Sequence, residues 1–369
     1  MISARWGRHD CIMRILCFID NLGAGGAQRQ LVGLAKLLAR RNYDIIVAYY
    51  QDNLFFEKEL TDHGIGSFLI PLSNNKIKNF FKIFNYIKSI RPQVLISYLE
   101  TPSMLVCAFR LLGLRYKLIV SERNTNVKYT FRDRIRFQLF RVANYVVPNS
   151  YSQQQFLEKR CPFLRSKIVT ITNFCSFLDY TVERKQKRDV PEIVIAASIW
   201  ASKNTVGFIE AVNILKNKGA KFHVSWYGIY EDSPYLKRCV ELINSLRLEN
   251  TICLLDKTKN IKEVYEKADF FCLPSFYEGT PNVICEAICM SLPVICSDVC
   301  DNSFFVHEGE NGLLFNPNSP EDIADKLWRA ISIDDIAYYA YCKNSRIIAE
   351  KLLSEDKFVE KYIRLIAHE

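Results

Sequence analysis

The feature that most constrains this chain is a rhythm. Short β-branched and aromatic runs alternate with longer segments of helical period, the pattern that builds parallel sheets covered by helices. In the first half the runs are ILCFID (15–20), DIIVAYY (44–50), SFLIPL (67–72), VLISYL (94–99), KLIVSE (117–122) and YVVPNS (145–150). Helical segments fall between them, for instance Gln28 to Arg40 after a glycine-rich turn. The polar stretch ERKQKRD (183–189) carries almost nothing apolar and reads as a linker. The rhythm then restarts with EIVIAAS (192–198), FHVSWYG (222–228), TICLLD (251–256), DFFCLPS (269–275) and LPVICSD (292–298).

A chain of 369 residues exceeds one ordinary hydrophobic core, so the two rhythmic halves are expected to be two doubly wound α/β domains. Domains of that kind collect ligands at the carboxyl ends of their strands, and two of them facing one another would leave a crevice there. With 49% hydrophobic and 24% charged residues, the composition excludes a disordered or fibrous chain.

Charge is unevenly spread. Residues 1–180 carry 26 Lys and Arg against 12 Asp and Glu, a net of +14, whereas the remainder carries 23 against 28, a net of −5. A basic front half implies an anionic partner, a nucleic acid or an acidic membrane surface. The aromatic-and-basic motifs of nucleic-acid readers are missing, which favours the membrane and no nucleic acid. The opening MISARWGRHDCIMRILCFID is interrupted by Arg14 and ended by Asp20, so it reads as a leader into a first strand and not a signal peptide. No run approaches the roughly 20 apolar residues of a spanning helix. Thirteen cysteines, most of them in apolar segments (Cys253, Cys272, Cys285, Cys289, Cys296) and with no CxxC pair, suggest reduced thiols and a cytosolic compartment.

The most specific motif is SFYEGTPNVICEAICMSLPVICSDV (275–299). Glu278 and Glu286 are separated by seven residues and bracket a Gly-Thr-Pro turn, with Thr280 suited to a helix cap and Pro281 to the first helical position. Glu278 then lies in the loop after a strand and Glu286 in the following helix. Helix-start amides favour phosphate, and carboxylates pair with vicinal sugar hydroxyls.

This segment resembles the family 4 glycosyltransferases, retaining enzymes of the GT-B fold, two Rossmann-like domains facing across a crevice. The resemblance implies that Glu278 lies at the transferred sugar and that Glu286 binds the ribose hydroxyls. Gly279, Thr280, Pro281 and Asn282 would line the sugar and phosphate pocket. A second match, IVIAASIWASKNTVGFIEA (193–211), resembles the first strand and helix of the nucleotide domain. There the family uses an Arg and, five residues on, a Lys to hold the diphosphate. Lys203 stands at the Lys position, whereas Ser198 occupies the Arg position. A third, DNLGAGGAQRQL (20–31), places Gly25 and Gly26 where the family turns toward the donor diphosphate. Arg123, in SERN beside Glu122, occupies about the place of a family His near the sugar. VVPNSYSQQQFL (146–157), ITNF (171–174) and ENGLLFNPNSPEDIADKL (310–327) fall in family order.

The expected division is an acceptor-binding domain over 1–182, a linker over 183–189, a nucleotide-sugar domain over 190–345, and a final helix over 346–369 that packs back on the first domain. Two basic, aromatic helices in the front half are candidates for the acceptor or membrane side. NNKIKNFFKIFNYIKSIR (74–91) places Ile77, Phe80, Phe81, Phe84 and Ile87 on one face, read as core. FRDRIRFQLFR (131–141) carries Arg132, Arg134, Arg136 and Arg141, with Arg132 and Arg136 assigned to the acceptor or sugar side.

The resulting expectation is transfer of a hexose or N-acetylhexosamine from a UDP-sugar to a polyprenyl-diphosphate-linked glycan in surface polysaccharide (O-antigen or capsule) synthesis. The catalyst would be peripheral on the inner face of the plasma membrane, with Glu278 and Lys203 carrying the reaction. No cofactor and no metal are expected, since no Asp-x-Asp motif is placed to hold one. The alternatives are a UDP-sugar epimerase of the same fold, or a nucleotide-sugar-binding protein weakened in catalysis by Ser198.

Overall fold

The computed structural model describes residues 13–368 apart from 125, 127, 181, 185 and 230. Most of the N-terminal leader therefore lies outside the described residues. The chain divides into two compact units, the first of residues 1–171 and 359–369, the second of residues 172–358. The polar stretch 183–189 is thus not where the chain changes unit. Arg184 donates there to the carbonyls of Met290, Ala268 and Tyr265, and Arg188 pairs with Asp269, which tie the stretch to the second unit.

In the first unit the elements follow in the order β1 (Arg14–Phe18), α1 (Gly26–Ala39), β2 (Asp44–Tyr49), α2 (Glu57–Thr61), β3 (Gly66–Leu69), α3 (Lys76–Ile90), β4 (Val94–Tyr98), α4 (Glu100–Leu111), β5 (Lys117–Glu122), α5 (Phe131–Leu139), β6 (Tyr145–Pro148) and α6 (Tyr151–Arg160). The second unit runs β7 (Glu192–Ala196), α7 (Thr205–Asn217), β8 (His223–Ile229), α8 (Pro234–Ser245), β9 (Ile252–Asp256), α9 (Ile261–Lys267), β10 (Phe270–Leu273), α10 (Asn282–Cys289), β11 (Val294–Ser297), α11 (Asn302–Phe305), β12 (Gly312–Phe315), α12 (Pro320–Ile331) and α13 (Asp335–Leu352). A last helix, α14 (Glu355–Ala367), passes into the first unit at Val359.

Among the described residues the strands form two six-stranded parallel sheets, ordered β3-β2-β1-β4-β5-β6 and β12-β11-β10-β7-β8-β9. Counted within each unit, the two orders are the same doubly wound topology, which is the fold class the sequence implied. In each sheet the order reverses between the first and fourth strands, and loops leaving those two strands begin side by side at the carboxyl edge. Each strand found in sequence is present. β12 is an addition that the rhythm does not announce: its GLLF run is too short and too close to polar residues to stand out.

In the first unit, Leu16, Phe18, Leu95, Leu118 and Val120 point to one face of the sheet, where Ile83, Ile87, Phe109 and Phe137 of α3, α4 and α5 cover them. α3 corrects one expectation. Its buried residues are Ile83 and Ile87, packed with Phe80, Phe84 and Ile90, whereas Ile77 is 70% and Phe81 54% exposed. The covered stripe follows the i, i+3, i+4, i+7 row that starts at Phe80, which leaves Ile77 and Phe81 to its side. On the other sheet face Tyr362 of α14 meets Tyr98 through their hydroxyls at 2.8 Å, and Lys117 donates to the Ile366 carbonyl at 3.0 Å.

Cys272, Cys285, Cys289 and Cys296 are buried as expected, but Cys253 is exposed because β9 is an edge strand. Burial pushes the Cys17 thiol up to about 12, as it does for Cys107, so these behave as small core hydrophobes.

Candidate donor site in the second unit

β7 and β10 are hydrogen-bonded neighbours at the point of reversal, so the loops that follow them emerge together. The exit from β7 is firmly held. The buried Trp226 donates its Nε1–H to the Ala197 carbonyl at 2.6 Å, and Gly228 faces the same carbonyl so closely that a Cβ would sit 1.8 Å from its oxygen. Any side chain at Gly228 would force β8 away from the turn that carries Ser198.

After that turn Ala201–Lys203 form a single 3-10 turn, and Asn204 adopts a left-handed conformation (φ 55°) before α7 begins. Asparagine tolerates that region better than most residues. Its side chain donates to the Pro317 carbonyl at 2.7 Å, which fixes the turn from the other side. The two loops then join: Phe276 N–H donates to the Ser202 carbonyl at 3.0 Å, and Lys203 Nζ reaches Glu278 Oε1 at 2.5 Å. Lys203 keeps 24% and Glu278 13% of its side chain exposed, so the pair is screened but still reachable from solvent.

α10 starts one residue later than expected. Pro281, not Thr280, is the N-cap, with extended ψ of 101°, and its carbonyl accepts from Ile284 and Cys285. Asn282 is the first helical residue, and Asn173 donates to its side chain at 2.6 Å, so the ITNF segment braces the helix start. No acidic residue lies in the first turn of α10, which leaves its positive end available to an anion. Glu286 is 5% exposed and accepts from the hydroxyl of Tyr265 in α9 at 3.1 Å. Tyr265 is fully buried against Phe271 and Phe177. Nothing in the sequence around Tyr265 or Asn173 signals that either orients a site residue. Ser275, fully buried at the exit of β10, has a hydroxyl with no hydrogen-bond partner among the described residues.

The sequence assigned further site residues to the first unit. Gly25 is the N-cap of α1 and Gly26 its first residue; no side chain caps this helix and its first turn holds no acid. Gln28 folds back to Asp20 at 3.2 Å, with its Oε1 where a Cβ on Gly25 would be. Arg123 is 9% exposed and lays its guanidinium over the Tyr98 ring, 4.7 Å from the centroid.

Arg136 requires a correction. It is fully buried and contacts Glu100 at 2.6 Å, Asp133 at 2.9 Å and Glu122 at 3.4 Å, so it is an internal ion-cluster residue and does not face an acceptor. The cause is local: Thr130 and Asp133 form a capping box at the start of α5, which turns the i+3 neighbour Arg136 inward beside its carboxylate. Burial, partly offset by Arg136 and reinforced by Glu100 and Asp133, pushes the Glu122 carboxyl up to about 7. Arg132 stays exposed, 3.9 Å from Glu100.

Comparison with known proteins agrees with this architecture. Residues 24–176 match the family described as Glycosyltransferase Family 4, and residues 190–332 match Glycosyl transferases group 1. The chain belongs to the family 4 glycosyltransferases, and it is a glycosyltransferase with the two-domain GT-B fold. It is 25% identical to the GalNAc-alpha-(1->4)-GalNAc-alpha-(1->3)-diNAcBac-PP-undecaprenol alpha-1,4-N-acetyl-D-galactosaminyltransferase of Campylobacter jejuni, over 86% of this chain and 88% of that one. A glycosyltransferase structure from Rickettsia africae superposes with a TM-score of 0.82 at 20% identity, covering 96% of this chain and 98% of that one. The Anabaena protein HepE in complex with UDP and glucose gives a TM-score of 0.83 at 17% identity, covering 97% and 100%.

Proposed function

We propose that the chain transfers a hexose or N-acetylhexosamine from a UDP-sugar to a hydroxyl of a polyprenyl-diphosphate-linked glycan, with retention at the anomeric carbon, in the assembly of a surface polysaccharide such as an O-antigen or capsule. The observation that carries this reading is the Lys203–Glu278 contact at 2.5 Å, formed where two adjacent strands end and beside the uncapped start of α10. One cation, one carboxylate and a helix positive end together suit a sugar diphosphate: Lys203 and the amides take the phosphates, and Glu278 takes the sugar. Glu286, oriented by Tyr265, then takes the ribose hydroxyls. HepE bound to UDP and glucose supports the donor class, and the lipid-linked acceptor named for the Campylobacter relative supports the acceptor class.

The leaving diphosphate is met here by Lys203 and backbone amides in place of a divalent cation, so chelation with EDTA leaves the rate unchanged. A lipid-linked acceptor supports a peripheral position at the membrane, and the basic first half supports an anionic surface, here assigned to the cytoplasmic face. No helix of the described residues is long and apolar enough to cross a membrane.

The test is a donor screen across UDP- and GDP-sugars that reports released nucleotide, with and without polyprenyl-diphosphate-linked glycans. Acceptor-dependent UDP release is expected. GDP release, or product sugar formed without acceptor as an epimerase would give, overturns the assignment. Ser198 at the family's Arg position favours one second reading, a nucleotide-sugar-binding protein of low turnover. UDP binding with no turnover over a broad acceptor panel is its signature.

A further inference from the structure

The outward face of α5 is unusual for a surface helix. Its inward residues Asp133, Arg136 and Phe137 are buried, yet the opposite side presents Phe131 at 76% and Ile135 at 44% exposure, one turn apart. Beside them the end of α4 exposes Leu111 at 62% and Leu112 at 57%. Phe131, Ile135, Leu111 and Leu139 line an open groove of about 490 Å3, whose charged lining residues are Arg134 and Arg141. No acid lines it. The adjoining segment 110–117, RLLGLRYK, has no acid and adds the exposed Arg115, and Arg141 lies over the ring of the half-exposed Phe163 at 5.4 Å.

Four large apolar side chains left in water beside an arginine rim mark an interaction surface. We propose that this groove is where the first unit seats on an anionic lipid bilayer. Phe131, Ile135, Leu111 and Leu112 enter the headgroup and acyl boundary while the arginines extend to lipid phosphates. This inference deepens the membrane-peripheral reading above and rests on it; the donor site plays no part in it.

Three observations select a bilayer over other occupants. The apolar groups project outward instead of enclosing a ligand, and interfacial elements insert only about 5–10 Å. Arginine stems can lie along apolar surface while their heads reach phosphate. A second copy of this chain would set two arginine-rimmed grooves against each other, and the net charge of +14 over residues 1–180 adds to that repulsion.

The experiment is flotation of the purified full chain with phosphatidylcholine vesicles and with vesicles that also contain phosphatidylglycerol. Binding to the anionic vesicles alone, weakening with added salt, is expected. Arg134→Gln with Arg141→Gln lowers the partition coefficient on the order of twentyfold, about fivefold per arginine. Phe131→Ser with Ile135→Ser lowers it as well. Lys218→Gln with Lys221→Gln, exposed lysines of the second unit, holds it within about twofold, since screening confines the effect to charges near the surface.

Equal binding to neutral vesicles, or equal loss in the arginine and lysine pairs, overturns the inference. So does a dimer in light scattering that either groove variant converts to monomer. UDP-dependent thermal stabilisation, read on the same samples, verifies that each variant is folded. If the wild type lacks it, the donor reading falls and the vesicle result stands by itself; if the wild type keeps it but ignores anionic vesicles, the reverse holds.

Discussion

Two clusters of charge in this molecule look alike in sequence and differ in what holds them. In the second unit Lys203 and Glu278 form one contact, with 24% and 13% of their side chains exposed. In the first unit Arg136 and Glu122 each keep only 1%, and Arg136 is ringed by Glu100, Glu122 and Asp133. Removing ions from water costs several kcal/mol each, so a cluster as deep as that of Arg136 survives only with its partners complete. A partly exposed pair can exchange its partner for water or phosphate at little cost. The Arg136 cluster therefore holds a fold together. The Lys203 pair can open to an anion, and on the proposed reading a diphosphate, with more charge than one carboxylate, would compete with Glu278 for Lys203.

The comparison can be broken or sharpened by measurement, beginning with the largest effect. Arg136→Leu leaves three carboxylates around an apolar residue and should lower the stability of the first unit by about 3–5 kcal/mol, measured by chemical denaturation. Unchanged stability would mean the cluster is not structural. A smaller effect lies in pH. The folded carboxyl of Glu122 is raised from 4.5 to about 7, so its contribution is complete below pH 4.5 and is lost as pH rises through about 7. A shift of that size corresponds to at most about 3 kcal/mol. The melting temperature of the first unit should therefore fall between pH 5 and 8 in the wild type and fall less in Glu122→Gln. A steeper fall in the variant would contradict the assignment.

Glu278→Ala should lower turnover about a hundredfold, as for loss of one electrostatic group at a reacting centre. UDP affinity should hold or rise, because Lys203 loses its competing carboxylate. Weaker UDP binding in titration calorimetry would show that the pair does not exchange partners. The smallest effect is expected from Tyr265→Phe. Removing the hydroxyl that orients Glu286 should raise the donor KM about fivefold, roughly one hydrogen bond, and leave kcat unchanged. Glu286→Ala should raise it further, and a kcat effect in either variant would move Glu286 closer to the chemistry.

Much of the fold and of the donor site is legible in the order of the amino acids. The strand runs are apolar because both faces of a parallel sheet are covered, so local composition alone reveals them. The Glu278–Glu286 spacing with its Gly-Thr-Pro turn, and Lys203 five residues after Ser198, stand out as a candidate site because each lies within one strand-loop-helix unit. Lys203 and Glu278 meet because β7 lies beside β10 at the reversal point.

Other features depend on contacts between residues far apart in the chain. Sequence cannot show that Arg136 turns inward while Arg134, two residues earlier, lines an open groove. Helical period sets the two on opposite faces and their charge is the same, but which face is sealed is decided by the packing of α5 against α4 and β5. The same holds for Ile77 and Phe81, apolar by composition yet exposed by the angle at which α3 lies on its sheet. Tyr265 and Asn173 likewise reach Glu286 and Asn282 only when α9 and the 171–174 segment are packed against α10. The sequence determined which elements form and which of their ends carry chemistry, because those depend on local period and turn chemistry. Tertiary structure decided which charges are sealed and which remain open, because desolvation depends on neighbours that no local pattern records.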